Sequence, residues 1–571
     1  MPSLSPSTSV LGIRKAKHLL RRACFHYSKE TLNHFASLTP SQAVTELGQE
    51  TSNSWQDPYD LKPNNVNNAV DGFWLHSGNP PSFYTYGQGK KRAIITGWWW
   101  YNMMQQNKLK HKLTFFLHSC FTVSKDGGAG KSAYFYDHLR LLDYYAYGSI
   151  KTLAKKITFD NAMLYYLDNT TNNNNNPNEN YAREFLELFT ILKGPQIAEG
   201  NYTNYTEHDI QQAAKVFSGI KAKPNRDTID QDTGIPHGYV NLNQHDTNSK
   251  TFSDAFNNQT IQGGSNEQGV IDELSDFVDM IFSKTETAKA YCRKLYRFFV
   301  KSEWNDAVES DIITPLAIQL MNSNYHLLGV LETLLMSQHF YDEDNDDATD
   351  ELVGSIIKSP LQFISELVSV LDISIPNPEA SSSNPPASWT QSQEDFYNFY
   401  YKFCHNTLFP GTGMNIFSPD TVAGYPANYQ GPDYDRNWFS SNTIVARYKT
   451  IESLITGKNR ILGLLTGNAG NTYYQNIWVE FNSVDFVSNP NNISDPYNST
   501  TLVNELTELL FCEPVPPNRL NYFIETLNDL DPGYWYGAWS DYQMNGNTVQ
   551  VKTRLDALFT KLINAPEFQL M

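Results

Sequence analysis

Apolar residues fall at helical spacing along most of this chain, and that spacing constrains the fold more than any other feature. The clearest case is Ala182, Phe185, Leu186 and Phe189, at i, i+3, i+4 and i+7, which share one side of a helix. Asn180, Arg183, Glu184 and Glu187 lie on the other side, so the pattern predicts an amphipathic helix from 179 to about 192. Similar windows run over 11–25, 29–38, 94–121, 134–154, 271–282, 285–300, 311–322 and 327–338. They return over 394–403, 442–456, 501–510, 517–527 and 552–563. The fold class that follows is mainly α, a large multi-helical body with long ordered loops. Residues 220–268 lack a helical period and carry Gly and Asn turns around short pieces such as 238–242. A small β-hairpin-like insertion is expected there.

Start signals sharpen several helices. Ser28 is placed to cap a helix from Lys29, and Thr39-Pro40-Ser41 restarts the next with Pro near the first turn. Thr206 with Asp209 reads as an acidic capping box, which assigns Thr206, Glu207, His208 and Asp209 to a helix start. Residues 51–92, rich in Asn, Pro, Gly and Tyr, read as a long ordered loop. The five asparagines Asn172 to Asn176 favour a turn. An acidic run at 341–351 and a Pro/Ser-rich stretch at 373–395 mark the best internal boundary. The expected division is a helical core over 1–340, a connector with one helix over 341–395, and a C-terminal helical region over 396–571 that packs on the first. No repeat of fixed period is visible.

Composition narrows the function classes. The 61 acidic and 43 basic residues give a formal charge of −18, which repels phosphate backbones, so no nucleic-acid partner is expected. The one basic cluster, Arg14, Lys15, Lys17, Arg21 and Arg22, reads as a solvated helix face. Cys24, Cys120, Cys292, Cys404 and Cys512 are odd in number and far apart, which fits reduced, buried thiols and no disulfide framework. No run of about 18 apolar residues occurs, so no transmembrane segment is expected. The first residues do not read as a signal peptide.

Few segments look chemical. Gly127-Gly128-Ala129-Gly130-Lys131-Ser132 suggests a phosphate loop, but Lys125 stands where that loop needs its first Gly. Neither Gly-x-Ser-x-Gly nor His-Glu-x-x-His is present. The most chemical phrase is residues 177–189. Glu184 and Glu187, three apart on a helix, suit joint binding of a divalent metal or acid–base work, with Arg183 to neutralise them or grip an anion. Asn178, Asn180 and Tyr181 beside them, with Asp246, form the expected binding set. His118 and Cys120 make a His-x-Cys pair of metal-ligand type, to which Glu179 and Glu184 add carboxylates. His245, next to Asp246, is a further acid–base candidate. The bland alternative is that Asn180, Arg183, Glu184 and Glu187 are the wet face of a helix.

At these residues the chain resembles the bacterial "domain of unknown function 1800" family. The likeness begins at His18-Leu19-Leu20-Arg21-Arg22-Ala23 and continues through Lys112–Phe116 and Asp160–Asn169. It is most specific in the PNENYAREFLELFT phrase of residues 177–190. Asn204–Glu207, His245-Asp246, Arg293-Lys294-Leu295 and the closing Ala565–Gln569 follow in the family's order. The resemblance implies a largely helical protein with no established activity. It also implies kinship with members that are often exported to the periplasm or cell surface. They are often encoded beside a second family of unknown function that is similar to alkaline-phosphatase-type enzymes, an expected protein partner. Two departures stand out. The family's Asn-His-Phe is Ser119-Cys120-Phe121 here, and its Gly-Trp-Pro is Gly424-Tyr425-Pro426. A catalytic role for that His would leave this chain altered, unless Cys120 keeps a ligand role.

Two functions follow from these residues. One is a structural or interaction protein of the cell envelope, binding a partner or a glycan, in which the Glu–Arg–Asn set is an internal network clamping the Asn-rich loop. The other is a metal-dependent hydrolase or transferase with a pocket of Glu179, Arg183, Glu184 and Glu187, approached by His118 and His245.

Overall fold

Short-range capping sets where the helices begin. The Ser28 hydroxyl accepts the Thr31 N–H at 3.1 Å and starts the helix Lys29–Ala36. Thr39 and Gln42 bond reciprocally ahead of Pro40–Gly48, with Pro40 in the first turn, where its missing N–H costs nothing. The N–H and hydroxyl of Thr206 both donate to Asp209, at 2.8 and 2.9 Å, and open Glu207–Val216.

The computed structural model describes residues 2–50, 88–344, 351–375, 404–406, 408–456 and 481–571. These residues are mainly helical. Residues 88–92, expected in a loop, belong instead to the helix Gln88–Met104. Residues 51–87, most of the Pro/Ser-rich stretch and the helical window over 394–403 lie outside the described residues. The strands described are short antiparallel pairs. Two fall in the expected insertion, Ile220–Lys221 with Tyr239–Val240 and Lys250–Thr251 with Thr260–Ile261. A third pairs Gln196–Ala198 with Asn201–Tyr202. Among the described residues no helix is long and apolar enough to cross a membrane.

The packing corrects one expectation strongly. Lys17, Arg21 and Arg22 of the opening helix Gly12–Ala23 are buried, not solvated. Arg14 and Lys15 do reach the surface and pair with Glu513 and Glu343. Each of the other three reaches a partner far along the chain, a carboxylate for Arg21 and main-chain carbonyls for Lys17 and Arg22. Arg21 places Nε and Nη2 on Glu366 Oε1, at 2.9 and 2.7 Å, and gives a further bond to the Leu510 carbonyl at 2.6 Å. The same oxygen of Glu366 accepts Lys358 Nζ at 2.9 Å and the Tyr27 hydroxyl at 3.2 Å. Lys358 also donates to the Phe568 carbonyl at 2.5 Å. Lys17 donates to the Phe511 carbonyl at 2.7 Å, and Arg22 to the Leu352 carbonyl at 2.8 Å. The first helix, the helix Pro360–Val370 and the last residues of the chain therefore meet at one buried carboxylate. The apolar core around it includes residues from Leu11 to Phe568.

Burying a carboxylate is tolerable only with its partners present. The neighbouring Arg21 and Lys358 hold the Glu366 carboxyl below its usual range despite burial. Glu366→Gln keeps the shape and leaves Arg21 and Lys358 uncompensated. It should cost about 3–5 kcal/mol, read as a large fall in melting temperature and in the urea midpoint. Unchanged melting would refute this role.

Candidate functional site

The asparagines before the motif helix are occupied with the chain's own backbone. Asn172 is fully buried. Its amide donates to the Ala214 carbonyl at 2.8 Å and to Asn169 Oδ1 at 3.1 Å, and its oxygen accepts the Asn178 N–H at 3.0 Å. Asn178 caps the helix Glu179–Glu184 through the Asn180 N–H and donates to the Asp168 carbonyl at 3.2 Å. Asn180 donates to the Leu167 carbonyl at 3.1 Å. The Tyr181 hydroxyl is buried against that of Thr158 at 3.0 Å. Three of the expected binding residues thus fold a loop back onto a helix.

The helix itself ends sooner than its pattern predicts. Regular α-geometry stops at Glu184, and Phe185–Phe189 form a single π turn. The extra residue of such a turn frees backbone carbonyls, which need other donors. The Thr190 hydroxyl takes the Phe185 carbonyl at 2.6 Å, and the Leu192 N–H takes that of Leu186 at 2.9 Å. The helix Thr285–Phe299 supplies the other two donors. Lys294 Nζ donates to the Leu188 carbonyl at 2.5 Å, and the Tyr291 hydroxyl to that of Phe189 at 2.6 Å. A cation at this end also suits the negative pole of the motif helix.

The charged residues of the motif divide. Arg183 does not grip Glu184 or Glu187. Its guanidinium pairs with Glu207 at 2.5 Å and Glu179 at 3.3 Å, tying the motif helix to the next one. Glu187 pairs with Lys193 and accepts the Tyr205 hydroxyl at 3.5 Å. Glu184 is half-buried, and among the described residues nothing donates a hydrogen bond to it. Burial, then repulsion from Glu187, pushes its carboxyl up to about 7.

The remaining expected residues are not gathered around it. His118 is buried with Nε2 on the Val123 carbonyl at 2.9 Å. His245 lies between the Ser218 carbonyl at 2.7 Å and Glu273 at 2.9 Å. Glu273 in turn pairs with buried Lys250 at 2.6 Å and accepts the Gly264 N–H at 2.7 Å. Asp246 binds the Asn248 N–H and stays in its own turn. Both ring nitrogens of His245 therefore serve to fasten the insertion. Among the described residues no three His, Cys, Asp or Glu side chains are arranged to hold a metal ion. The set His118, Cys120, Glu179 and Glu184 does not assemble, because Glu179 goes to Arg183 and His118 to the backbone. All five cysteines are free and buried, as expected.

Cys120 leads to a site that the sequence reasoning missed. It lines a cleft of about 270 Å3 together with Ser119, Leu188, Arg293, Lys294 and Arg297. Phe116, Phe298, Leu192, Ala290 and Val422 give it an apolar body, and Asn428 and Tyr429 lie at its polar part. No acidic side chain is in the lining. Arg293 is neutralised by Glu309 at 2.6 Å and Glu286 at 3.4 Å. Lys294 and Arg297 have no carboxylate within ion-pair distance among the described residues. Arg297 donates to the Ser302 carbonyl at 3.2 Å and stacks its guanidinium 4.4 Å from the Tyr434 ring centre. Burial lowers the pKa of both cations, and it pushes the Cys120 thiol up to about 11, an inert range at neutral pH. The available sequence signal was Arg293, Lys294 and Arg297 within one turn and a half of a helix that also carries Phe298.

Comparison with known proteins adds a family. A family model described as a protein of unknown function (DUF1800) matches residues 18–570, nearly the whole chain. The chain belongs to this family. No curated protein and no solved structure matches it. In this DUF1800 chain the cleft is walled by segments that lie far apart in sequence, at 116–120, 188–192, 290–298 and 422–429.

A raised carboxyl fixes the sign of a pH effect. Folded Glu184 holds its proton more tightly than the unfolded chain does, so it costs stability as pH rises from about 4.5 through about 7. Glu184→Gln should remove that slope. It should leave the protein about 1 kcal/mol more stable at pH 8, after allowance for solvent screening, and near parity at pH 4.5. Thermal melts at the two pH values check it; a variant less stable at pH 8 would show that the carboxylate is needed by a partner.

Proposed function

We propose that this DUF1800 protein is a binding protein, and that its ligand enters the cleft between the helices Leu109–Cys120 and Thr285–Phe299. The observation that carries the reading is convergence. The PNENYAREFLELFT phrase, through Leu188, and the Arg293-Lys294 pair carry the family resemblance, and Ser119-Cys120 and the neighbourhood of Gly424-Tyr425-Pro426 are where this chain departs from it. All of them contribute to this one cleft or stand beside it. The asparagines and Arg183 serve a different purpose, since their hydrogen bonds go to the protein itself. Apolar walls with a few placed polar groups are the usual make-up of a small-ligand site.

The lean of the family resemblance towards exported members supports placing this binding role at the cell envelope. A protein partner or a glycan is compatible with it. Exposed Tyr497 and Tyr536 lie with ring centres 5.7 Å apart and tilted to each other, and such exposed rings are surfaces on which sugar rings rest.

A second reading has one observation in its favour. Glu184 carries a carboxyl shifted towards neutral pH and, among the described residues, engages no hydrogen-bond donor, as a general acid or base would. Under that reading Glu184→Gln abolishes turnover, while cleft binding survives in both.

The binding reading is tested with two fluorescent probes, the neutral N-phenyl-1-naphthylamine and the anionic anilinonaphthalene sulfonate. At least one should bind at a single saturable site per chain. Filling the cleft with Ala423→Trp or Val422→Trp should abolish that site without lowering the melting temperature. Binding that persists in both filled variants, or no saturable site at all, would refute the reading.

A further inference from the structure

We infer that the cleft takes a single-headed organic anion, a carboxylate or phosphate monoester carrying a short apolar body. The inference rests on the binding reading above and adds the ligand's chemistry.

Lys294 and Arg297 stand three residues apart on one helix, so they face the same side. Both line the cleft, beside a third cation, Arg293, that Glu309 and Glu286 already satisfy. Each of the first two spends one donor on a main-chain carbonyl, Leu188 for Lys294 and Ser302 for Arg297. An ammonium has three donors and a guanidinium five, so donors remain on both. Glu303 acts on Arg297 only at a distance and forms no ion pair with it. Tyr434 faces Arg297 as a ring and a hydroxyl, not as an anion. Half-buried cations without a counter-charge are costly unless something supplies one. The side-chain amide of Asn428 also engages no partner among the described residues, which adds a neutral donor at the same cleft.

Shape decides the rest of the ligand. Besides this polar group, Ser119, Cys120 and Tyr429, the lining is apolar, with Phe116, Leu188, Leu192, Phe298 and Val422 as its larger members. A free inorganic anion would leave that surface wet. Lys294 and Arg297 stand on one side of one helix, so a single head group can meet both. The volume, about 270 Å3, lies just below the usual range for drug-sized ligands, about 300–1,000 Å3. It suits a body of a few carbons better than a peptide or an oligosaccharide.

Isothermal titration of the full chain at neutral pH with octanoate, octyl phosphate, octan-1-ol and inorganic phosphate tests this. Octanoate or octyl phosphate should bind at one site at least about tenfold more tightly than octan-1-ol and than inorganic phosphate, as one charge-assisted contact predicts. Which of the two binds better identifies the head group. Arg297→Met should remove that advantage over octan-1-ol. Lys294→Met should do the same but also frees the Leu188 carbonyl, so Lys294→Arg is the control: it keeps the charge and should restore binding. Equal binding of octanoate, octyl phosphate and octan-1-ol would overturn the anion. Equal binding of inorganic phosphate and octyl phosphate would overturn the apolar body. Failure of all four compounds to bind, in a protein whose cleft still takes the fluorescent probes, would overturn this inference and leave the binding reading standing. Failure of probes and compounds alike would remove both.

Discussion

The Glu366 carboxylate, buried and shared by Arg21, Lys358 and Tyr27, is the contact on which the rest of the arrangement depends. It draws the first helix of the chain to a helix more than 300 residues later, and through Lys358 it holds the last turn of the chain. Such a cluster contributes little net stability relative to an apolar core, yet it is costly to disrupt. Its value is register: a cation on the wrong side of the opening helix has no carboxylate to meet. Glu273 repeats the device on a smaller scale, with Lys250 and His245 fixing the irregular insertion. In both places an acidic side chain is spent on internal geometry.

The same principle explains the motif helix. A π turn releases carbonyls at its end, and those carbonyls would be orphans in an apolar setting. Tyr291 and Lys294 reach across from another helix to take them. The PNENYAREFLELFT phrase and the Arg293-Lys294 pair are therefore one structural unit, although 100 residues separate them. The cleft is a by-product of that union, since Lys294 and Leu192, two of the residues that satisfy the turn, also line the space beside it. Function is proposed there because the cleft holds cations that no carboxylate among the described residues neutralises, whereas Arg183 is engaged with Glu207 and Glu179.

Legibility in the sequence followed the range of the interaction. Caps such as Ser28 and Thr206 were readable because donor and acceptor lie within four residues. The mainly helical class was readable because periodicity is local. Burial of Lys17 and Arg21 was not, since their partners lie hundreds of residues away and no pattern around residue 17 announces them. The π turn was hidden for a similar reason: Phe185, Leu186 and Phe189 keep an apolar pattern that an unbroken helix would share. His245 and Glu184 looked alike as candidates, but only the structure shows one ring fully bonded and one carboxyl without a donor among the described residues. Of the cleft only the close spacing of Arg293, Lys294 and Arg297 was visible, because a cation without a carboxylate beside it is a statement about what fails to lie near it.

The central claim is that the polar residues of the motif other than Glu184 act on the chain's own backbone and neighbouring side chains, and that none of the set serves a bound ion. Elemental analysis tests it most directly, on protein purified without chelator or affinity metal, alongside the variant Glu184→Gln/Glu187→Gln. The account predicts no zinc, iron, manganese or calcium near one equivalent that depends on these two carboxylates. A near-stoichiometric metal in the parent protein that is lost from the variant would contradict it and return the motif to the metal-dependent enzymes.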